Sequence, residues 1–215
     1  VFAGESTPIL KVLSKIKFNK NLYLTALFTS LGKSKEIERL SDKLKMPIFD
    51  LYLLGQPEGV KCLANLKPDW FFNINTTVIF PSDILEIPRK GCLNMHPGKL
   101  PEYAGLHMNQ WAIRNGETNF GSTLHWMEPR IDAGPIALKK EFVILPNDTG
   151  LSLFIKCSNV GAELVLKALK MIDEGEKLPK IPQDLSKRFL YRHKDALDGS
   201  VRWKMTAKEI INLVR

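Results

Sequence analysis

Apolar strand-like runs and helix-like patterns alternate along most of this 215-residue chain, and that alternation restricts its fold more than any other feature. Successive strand–helix–strand units cross over right-handed and build a mainly parallel sheet with helices on its faces. Val1–Gly4 reads as a first strand, and Thr7-Pro8 supplies an N-cap and a first-turn proline for a helix through Lys15. Further strands are expected at Leu22–Phe28, Pro47–Leu51, Trp70–Ile74, Cys92–Met95, Ser122–Met127 and Ile136–Ile144. Helical spacing marks Ser34–Lys45, Val60–Leu66, Ser82–Glu86, Met108–Asn115 and a long helix across Leu151–Asp173 with capping residues at Asp148-Thr149. The fold class is α/β. After Gly175 the composition shifts: 177–182 carries two prolines and reads as a linker, and Thr206 caps a helix through Val214. The expected organisation is a principal domain over 1–176 and a linker with a C-terminal helical extension over 177–215.

Hydrophobic residues at 44% and charged residues at 25% suit a soluble globular core. No apolar run is long enough to span a bilayer, and the opening segment has no basic leader. Cys62, Cys92 and Cys157 are odd in number and scattered, which speaks against a disulfide framework and a zinc site. A cytoplasmic location follows as the expectation. The formal charge is +8, and six of those charges fall in the last stretch, where ten basic residues face four acidic ones. A basic tail can steer a phosphate-bearing substrate or simply be a solvated face. Zinc-finger and RNA-binding signatures are missing, as is aromatic–basic interleaving, so neither nucleic acid nor a membrane is an expected partner.

The chemistry-bearing residues concentrate in Asn94-Met95-His96-Pro97-Gly98-Lys99-Leu100-Pro101-Glu102-Tyr103-Ala104-Gly105. Asn94 and His96 stand two apart at the end of an apolar strand, so an amide and an imidazole project from one face. In open α/β sheets, ligands bind at the carboxyl ends of the strands. Arg130-Ile131-Asp132-Ala133-Gly134-Pro135 adds one carboxylate on a turn. Taken singly, Asn94 is an ordinary turn former, His96 a structural histidine and Asp132 a loop cap.

Taken together, these segments resemble the folate-dependent formyltransferase family of methionyl-tRNA, glycinamide ribonucleotide and amino-sugar formyltransferases. The resemblance extends through Trp111–Glu117, Phe120–His125 and Ile131–Ile136, and more weakly over 1–175. It implies a Rossmann-like formyltransferase fold, N10-formyltetrahydrofolate as cosubstrate, no metal, and Asn94, His96 and Asp132 as the catalytic group. In that role Asn94 and a charged His96 stabilise the developing oxyanion. Asp132 holds His96 charged and relays the amine proton. The resemblance also places the pterin beside Val78, Ile79, Phe80 and Pro81 and beside Glu128, Arg130 and Ile131. Lys99, Tyr103, His107 and Asn109 lie on the acceptor side. Thr123 and His125 match family positions too, but on a strand they read equally well as structural and stay outside the expected set.

Departures from the subfamilies narrow the acceptor. The stretch Ser30-Leu31-Gly32-Lys33-Ser34 is short where the methionyl-tRNA enzyme carries a long basic insertion, and Ala104-Gly105 stands in place of its Arg-Gly. Glu5, in Ala3-Gly4-Glu5-Ser6-Thr7-Pro8, would repel the phosphate that glycinamide ribonucleotide enzymes cradle. The tail Asp198–Trp203 and Thr206–Arg215 resembles the segment after the catalytic domain in amino-sugar and methionyl-tRNA enzymes. A small-molecule amine is therefore the expected partner, foremost a nucleotide-linked amino sugar; a methionyl-tRNA-like or other amine acceptor is the alternative. A formyltetrahydrofolate hydrolase and a non-catalytic folate-binding protein are the readings from other classes. A homodimer is compatible with the chain.

Overall fold

The computed structural model describes residues 1–16, 21–30, 35–192 and 199–215. The expected starts of the second helix at Ser34 and of the tail motif at Asp198 lie outside these residues, as does most of the short stretch after Ser30.

Seven strands form one sheet in the order β3-β2-β1-β4-β5-β7-β8. They are β1 (Phe2–Gly4), β2 (Leu27–Thr29), β3 (Ile48–Asp50), β4 (Trp70–Ile74), β5 (Gly91–His96), β7 (Asn119–Trp126) and β8 (Ile136–Val143). The first five run parallel, and β7 and β8 are antiparallel. A second, two-stranded parallel ladder joins β6 (Ala104–Gly105) to β9 (Leu190–Tyr191). The helices are α1 (Ser6–Lys15), α2 (Lys35–Leu44), α3 (Pro57–Leu66), α4 (Ser82–Glu86), α5 (Met108–Arg114), α6 (Gly150–Asp173) and α7 (Ala207–Val214). The α/β fold with a mainly parallel sheet is as the alternation implies.

Alternating side chains of the strands feed two separate apolar layers. Phe2, Phe72, Ile74, Leu93, Met95 and Leu124 pack with Ile9, Val12 and Leu13 of α1 and Leu164, Val165 and Ala168 of α6. Val1, Ala3, Phe28, Phe71 and Cys92 pack on the other face with Leu63 of α3 and Ile84 of α4. Gly161 lets α6 approach β5, since a Cβ there would lie 2.3 Å from the Met95 sulfur.

Two local expectations need correction. Of the Leu22–Phe28 run only Leu27 and Phe28 are in a strand, which continues to Thr29, because its neighbours β1 and β3 are themselves three residues long and offer no further ladder. The Thr7 cap does not form: α1 begins at Ser6, and its N-cap is Glu5 without a side-chain cap bond. By contrast, Thr149 and Thr206 each close a capping box, with Ser152 and Glu209.

Residues 177–192 return to the sheet. Leu178 is buried against the first layer, Ile181 bridges Ile136, and the Trp126 indole N–H donates to Pro179 O at 2.7 Å. Further on, Tyr191 stacks on Tyr103 with ring centroids 5.4 Å apart.

Candidate active site

The register of the sheet assembles a polar row. Asn73 on β4 stands opposite Asn94 on β5, and Asn94 stands opposite His125 on β7. His96, two residues beyond Asn94, pairs with Thr123. One step back on the same face, Phe71 and Cys92 belong to an apolar layer. The face thus changes from apolar to polar toward the carboxyl ends of β4 and β5. A β-bulge between Leu124 and His125 adjusts β7 at this point, as bulges beside functional sites commonly do.

Asp132, on the turn between β7 and β8, completes the cluster. Its backbone is left-handed at φ 49°, a conformation aspartate tolerates better than most residues. The Asp132 Oδ1 accepts from Asn94 Nδ2 at 3.3 Å and lies 3.3 Å from His125 Nε2. Its Oδ2 accepts from the Gly105 N–H at 2.9 Å and lies 3.5 Å from His96 Nδ1. The turn is clamped from the C-terminal segment. Gln183 Nε2 donates to Asp132 O at 3.1 Å and Gly134 O at 2.6 Å, and Arg188 donates to Ile131 O at 2.6 Å. Gly134 is required here, because a Cβ would sit 2.1 Å from Trp126 O.

His96 is 3% exposed, with Nε2 2.6 Å from Tyr103 O. Gly98 makes that contact feasible, since a Cβ there would stand 2.6 Å from His96 Nε2 and 2.9 Å from Tyr103 O. The Nε2 therefore carries the proton of a neutral ring. On the far side of the row, His125 Nδ1 lies 2.8 Å from Trp126 O, and its Nε2 lies 3.0 Å from Asn94 Nδ2 and 3.3 Å from Asp132 Oδ1, so the ring bridges the strand to the carboxylate.

Burial raises the Asp132 pKa, but the His96 charge, the hydrogen bond and charge of His125 and the Gly105 N–H outweigh it and hold the carboxyl well below the usual range. For His96 burial dominates and lowers the pKa, against the opposing pull of Asp132 and the Tyr103 carbonyl. The two directions conflict in one respect, because a neutral His96 lends Asp132 no charge. Asp132 is ionised in either case, since the Gly105 and Asn94 N–H donors remain. Burial thus favours the neutral ring of His96, while the expected charged form draws on Asp132, 3.5 Å from Nδ1.

The remaining expected residues lie in two loops and around α5. Val78 and Phe80 pack against the apolar layer, with Phe80 edge-on to Phe71 at 5.4 Å, while Ile79 is 74% exposed and Pro81 is exposed. The main-chain groups of Val78, Ile79 and Phe80 make no hydrogen bond within the described residues. Glu128 and Arg130 are exposed, and Ile131 is 45% exposed. These two stretches could meet an amphipathic ring with backbone polar groups and apolar side chains. Lys99 is half-buried and His107 exposed at φ 60°. Two others are committed elsewhere: the Tyr103 hydroxyl donates to Glu117 at 2.8 Å, and Asn109 donates to Gly150 O at 2.6 Å.

Sequence reasoning missed Asn73, Gln183 and Arg188 and set His125 aside. A lone amide inside the aromatic run Trp70–Ile74 was the available signal for Asn73. The position of His125 opposite Asn94 depends on a long-range register that no local pattern displays.

Chains of known character share this arrangement of sheet and helices. The sequence profile described as Formyl transferase matches residues 34–169, more than half of the chain. A methionyl-tRNA formyltransferase from Thermodesulfovibrio yellowstonii is 34% identical over 183 residues, which are 85% of this chain and 59% of that protein's length. The chain thus spans about three fifths of this curated relative. Among solved structures, an N-formyltransferase from Helicobacter canadensis, in complex with folinic acid and dTDP-3-aminofucose, superimposes with a TM-score of 0.76 at 21% identity, covering 100% of this chain and 78% of its own. A phosphoribosylglycinamide formyltransferase from Anaplasma phagocytophilum reaches 0.70 at 18% identity, covering 90% of this chain and 98% of its own. On the profile match over more than half of its length, the chain belongs to the formyl transferase family.

Proposed function

We propose that the chain transfers the formyl group of N10-formyltetrahydrofolate to a primary amine, foremost the amino group of a nucleotide-linked sugar. The observation that carries this reading is the convergence of Asn94, His96 and His125 on the ionised Asp132, all within 3.5 Å, in a member of this family.

In the proposed reaction the neutral amine nitrogen attacks the formyl carbon, and the carbonyl π pair becomes a lone pair on oxygen. One Asn94 Nδ2–H stays on Asp132, and the other, which faces His125 in this structure, turns to that oxygen and stabilises it, a contribution of about 3–4 kcal/mol for a donor of this kind. The ammonium proton passes to the Asp132–His96 pair and rests on His96 Nδ1, where the carboxylate 3.5 Å away stabilises the cation. Collapse of the tetrahedral species breaks the bond to N10, which takes the proton and leaves as tetrahydrofolate. The loops 78–81 and 128–131 would hold the pterin, through the main-chain groups of Val78, Ile79 and Phe80 in the first and the clamped turn of the second.

Two observations bear on the acceptor. The Helicobacter canadensis structure holds an amino-sugar nucleotide, and a basic segment follows Lys177 here. The identity to a methionyl-tRNA enzyme makes that amine the second acceptor to try. Tetrahydrofolate release with nucleotide-linked amino sugars, methionyl-tRNA and no amine separates the readings. Turnover only with an amine sustains the proposal and names the acceptor. Formate release without amine would assign a hydrolase instead.

A further inference from the structure

The geometry points to Asn73 and Thr76 as positioning residues that fix which way the Asn94 amide faces and so keep its N–H toward the formyl oxygen. This inference rests on the formyl-transfer reading. An amide presents nearly the same shape in either orientation, but with the wrong one it aims carbonyl lone pairs at a developing negative charge. Something must set the direction from behind.

A chain of hydrogen bonds with a single polarity does so. It starts at the Asp132 carboxylate, which only accepts, so the group of Asn94 facing it at 3.3 Å is Nδ2. The Asn94 Oδ1 then points to β4 and accepts from Asn73 Nδ2 at 2.9 Å. That leaves Asn73 Oδ1 as an acceptor, and the Thr76 hydroxyl donates to it at 2.8 Å. Asn75 is left-handed at φ 55°, which turns the chain just past β4 and brings Thr76 back over Asn73. Reversing any one amide would set two acceptors or two donors face to face.

The placement of Asn73 is otherwise costly. It is 5% exposed on a strand of aromatic and branched residues. Asparagine is a poor strand former, and a buried amide is tolerated where its hydrogen bonds are made. An apolar residue would serve the packing equally well, but it would leave Asn94 Oδ1 without a donor.

Asn73→Asp keeps the shape and removes the donor. It favours an Asn94 amide turned with its NH2 toward β4 and its carbonyl toward Asp132. Thr76→Val removes the last donor of the chain, and Thr76→Ser restores it. The test is a nuclear Overhauser contact between the Asn94 side-chain NH2 protons and the His125 ring Hε1 in the isotope-labelled full chain, with the NH2 signals assigned by their loss in Asn94→Asp. The contact is expected in the wild type and in Thr76→Ser, weaker in Thr76→Val, and lost in Asn73→Asp. With an amine the wild type accepts, kcat should fall by about 10²-fold in Asn73→Asp and about 3- to 10-fold in Thr76→Val, recovering in Thr76→Ser, with the KM for N10-formyltetrahydrofolate within about twofold throughout. A contact and a kcat unchanged in folded Asn73→Asp overturn the inference. Should that variant fail to fold, Asn73→Leu and the Thr76 pair decide by the same two readouts. A wild type that formylates no amine defeats the proposed function alone, because the Overhauser series still settles the orientation.

Discussion

Strands β4 and β5 present two different surfaces from one stretch of backbone. Toward α1 and α6, Phe72, Ile74, Leu93 and Met95 are 1% exposed or less and belong to one apolar cluster. Toward the opposite side, Asn73 and His96 are almost as well covered and Asn94 is half-buried, but each makes a directed contact. The first surface is held by non-directional burial, which rewards volume and forgives exchange of one hydrocarbon for another. The second is held by polarity, in which every donor has one acceptor. Stability should therefore track the first surface and turnover the second.

Asp132→Asn should break the second surface most severely, because it removes the negative charge that stabilises a proton on His96. A loss of about 10³-fold or more in kcat is expected, with folate affinity within a few-fold. Leu93→Ala should do the reverse. It should cost about 3 kcal/mol in urea unfolding for a fully buried leucine, while kcat per folded molecule stays within a few-fold. Gly98→Ala sharpens the contrast, since its added methyl meets His96 Nε2 and Tyr103 O rather than the core. Turnover should drop by about 10- to 100-fold, a larger effect on activity than on melting temperature.

The pH dependence of stability follows from the same polar surface. Both His96 and Asp132 have folded pKa values below their unfolded ones. In each case the unfolded chain binds more protons between the two values, so stability rises with pH there. The His96 contribution should begin to fade as pH falls below about 6.5, and that of Asp132 below about 3.9. In thermal melts the stability of the wild type relative to His96→Asn should fall on going from pH 7 toward pH 5, since only the wild type loses the His96 share. The smallest effect is expected farthest from the row: Thr206→Ala removes the capping box of α7 and should cost about 1 kcal/mol without altering kcat.

The two surfaces also differed in how readily the sequence displayed them. Alternation and local capping signals sufficed for β4, α4 and the cap of α6, since those elements are set by residues adjacent in the chain. Leu22–Phe28 misled because its apolar run exceeds what its short neighbours can pair with. Asn94, His96 and Asp132 were legible through their motif, and the i, i+2 spacing placed the first two on one face as read. His125, Asn73 and the Gln183 and Arg188 clamps were not, since each acts across separations of 21 to 57 residues, fixed only by register and by the returning C-terminal segment. The short β6–β9 ladder is of the same kind. Gly105 can enter it because its φ is 95° and no Cβ meets Tyr191 O.

The central claim is that the polar surface carries out formyl transfer to an amine. It is tested most directly by tetrahydrofolate release from N10-formyltetrahydrofolate with a nucleotide-linked amino sugar, comparing wild type with His96→Asn. The account predicts amine-dependent turnover in the wild type and a loss of orders of magnitude in the variant, with folate still bound. Undiminished turnover in His96→Asn would contradict it.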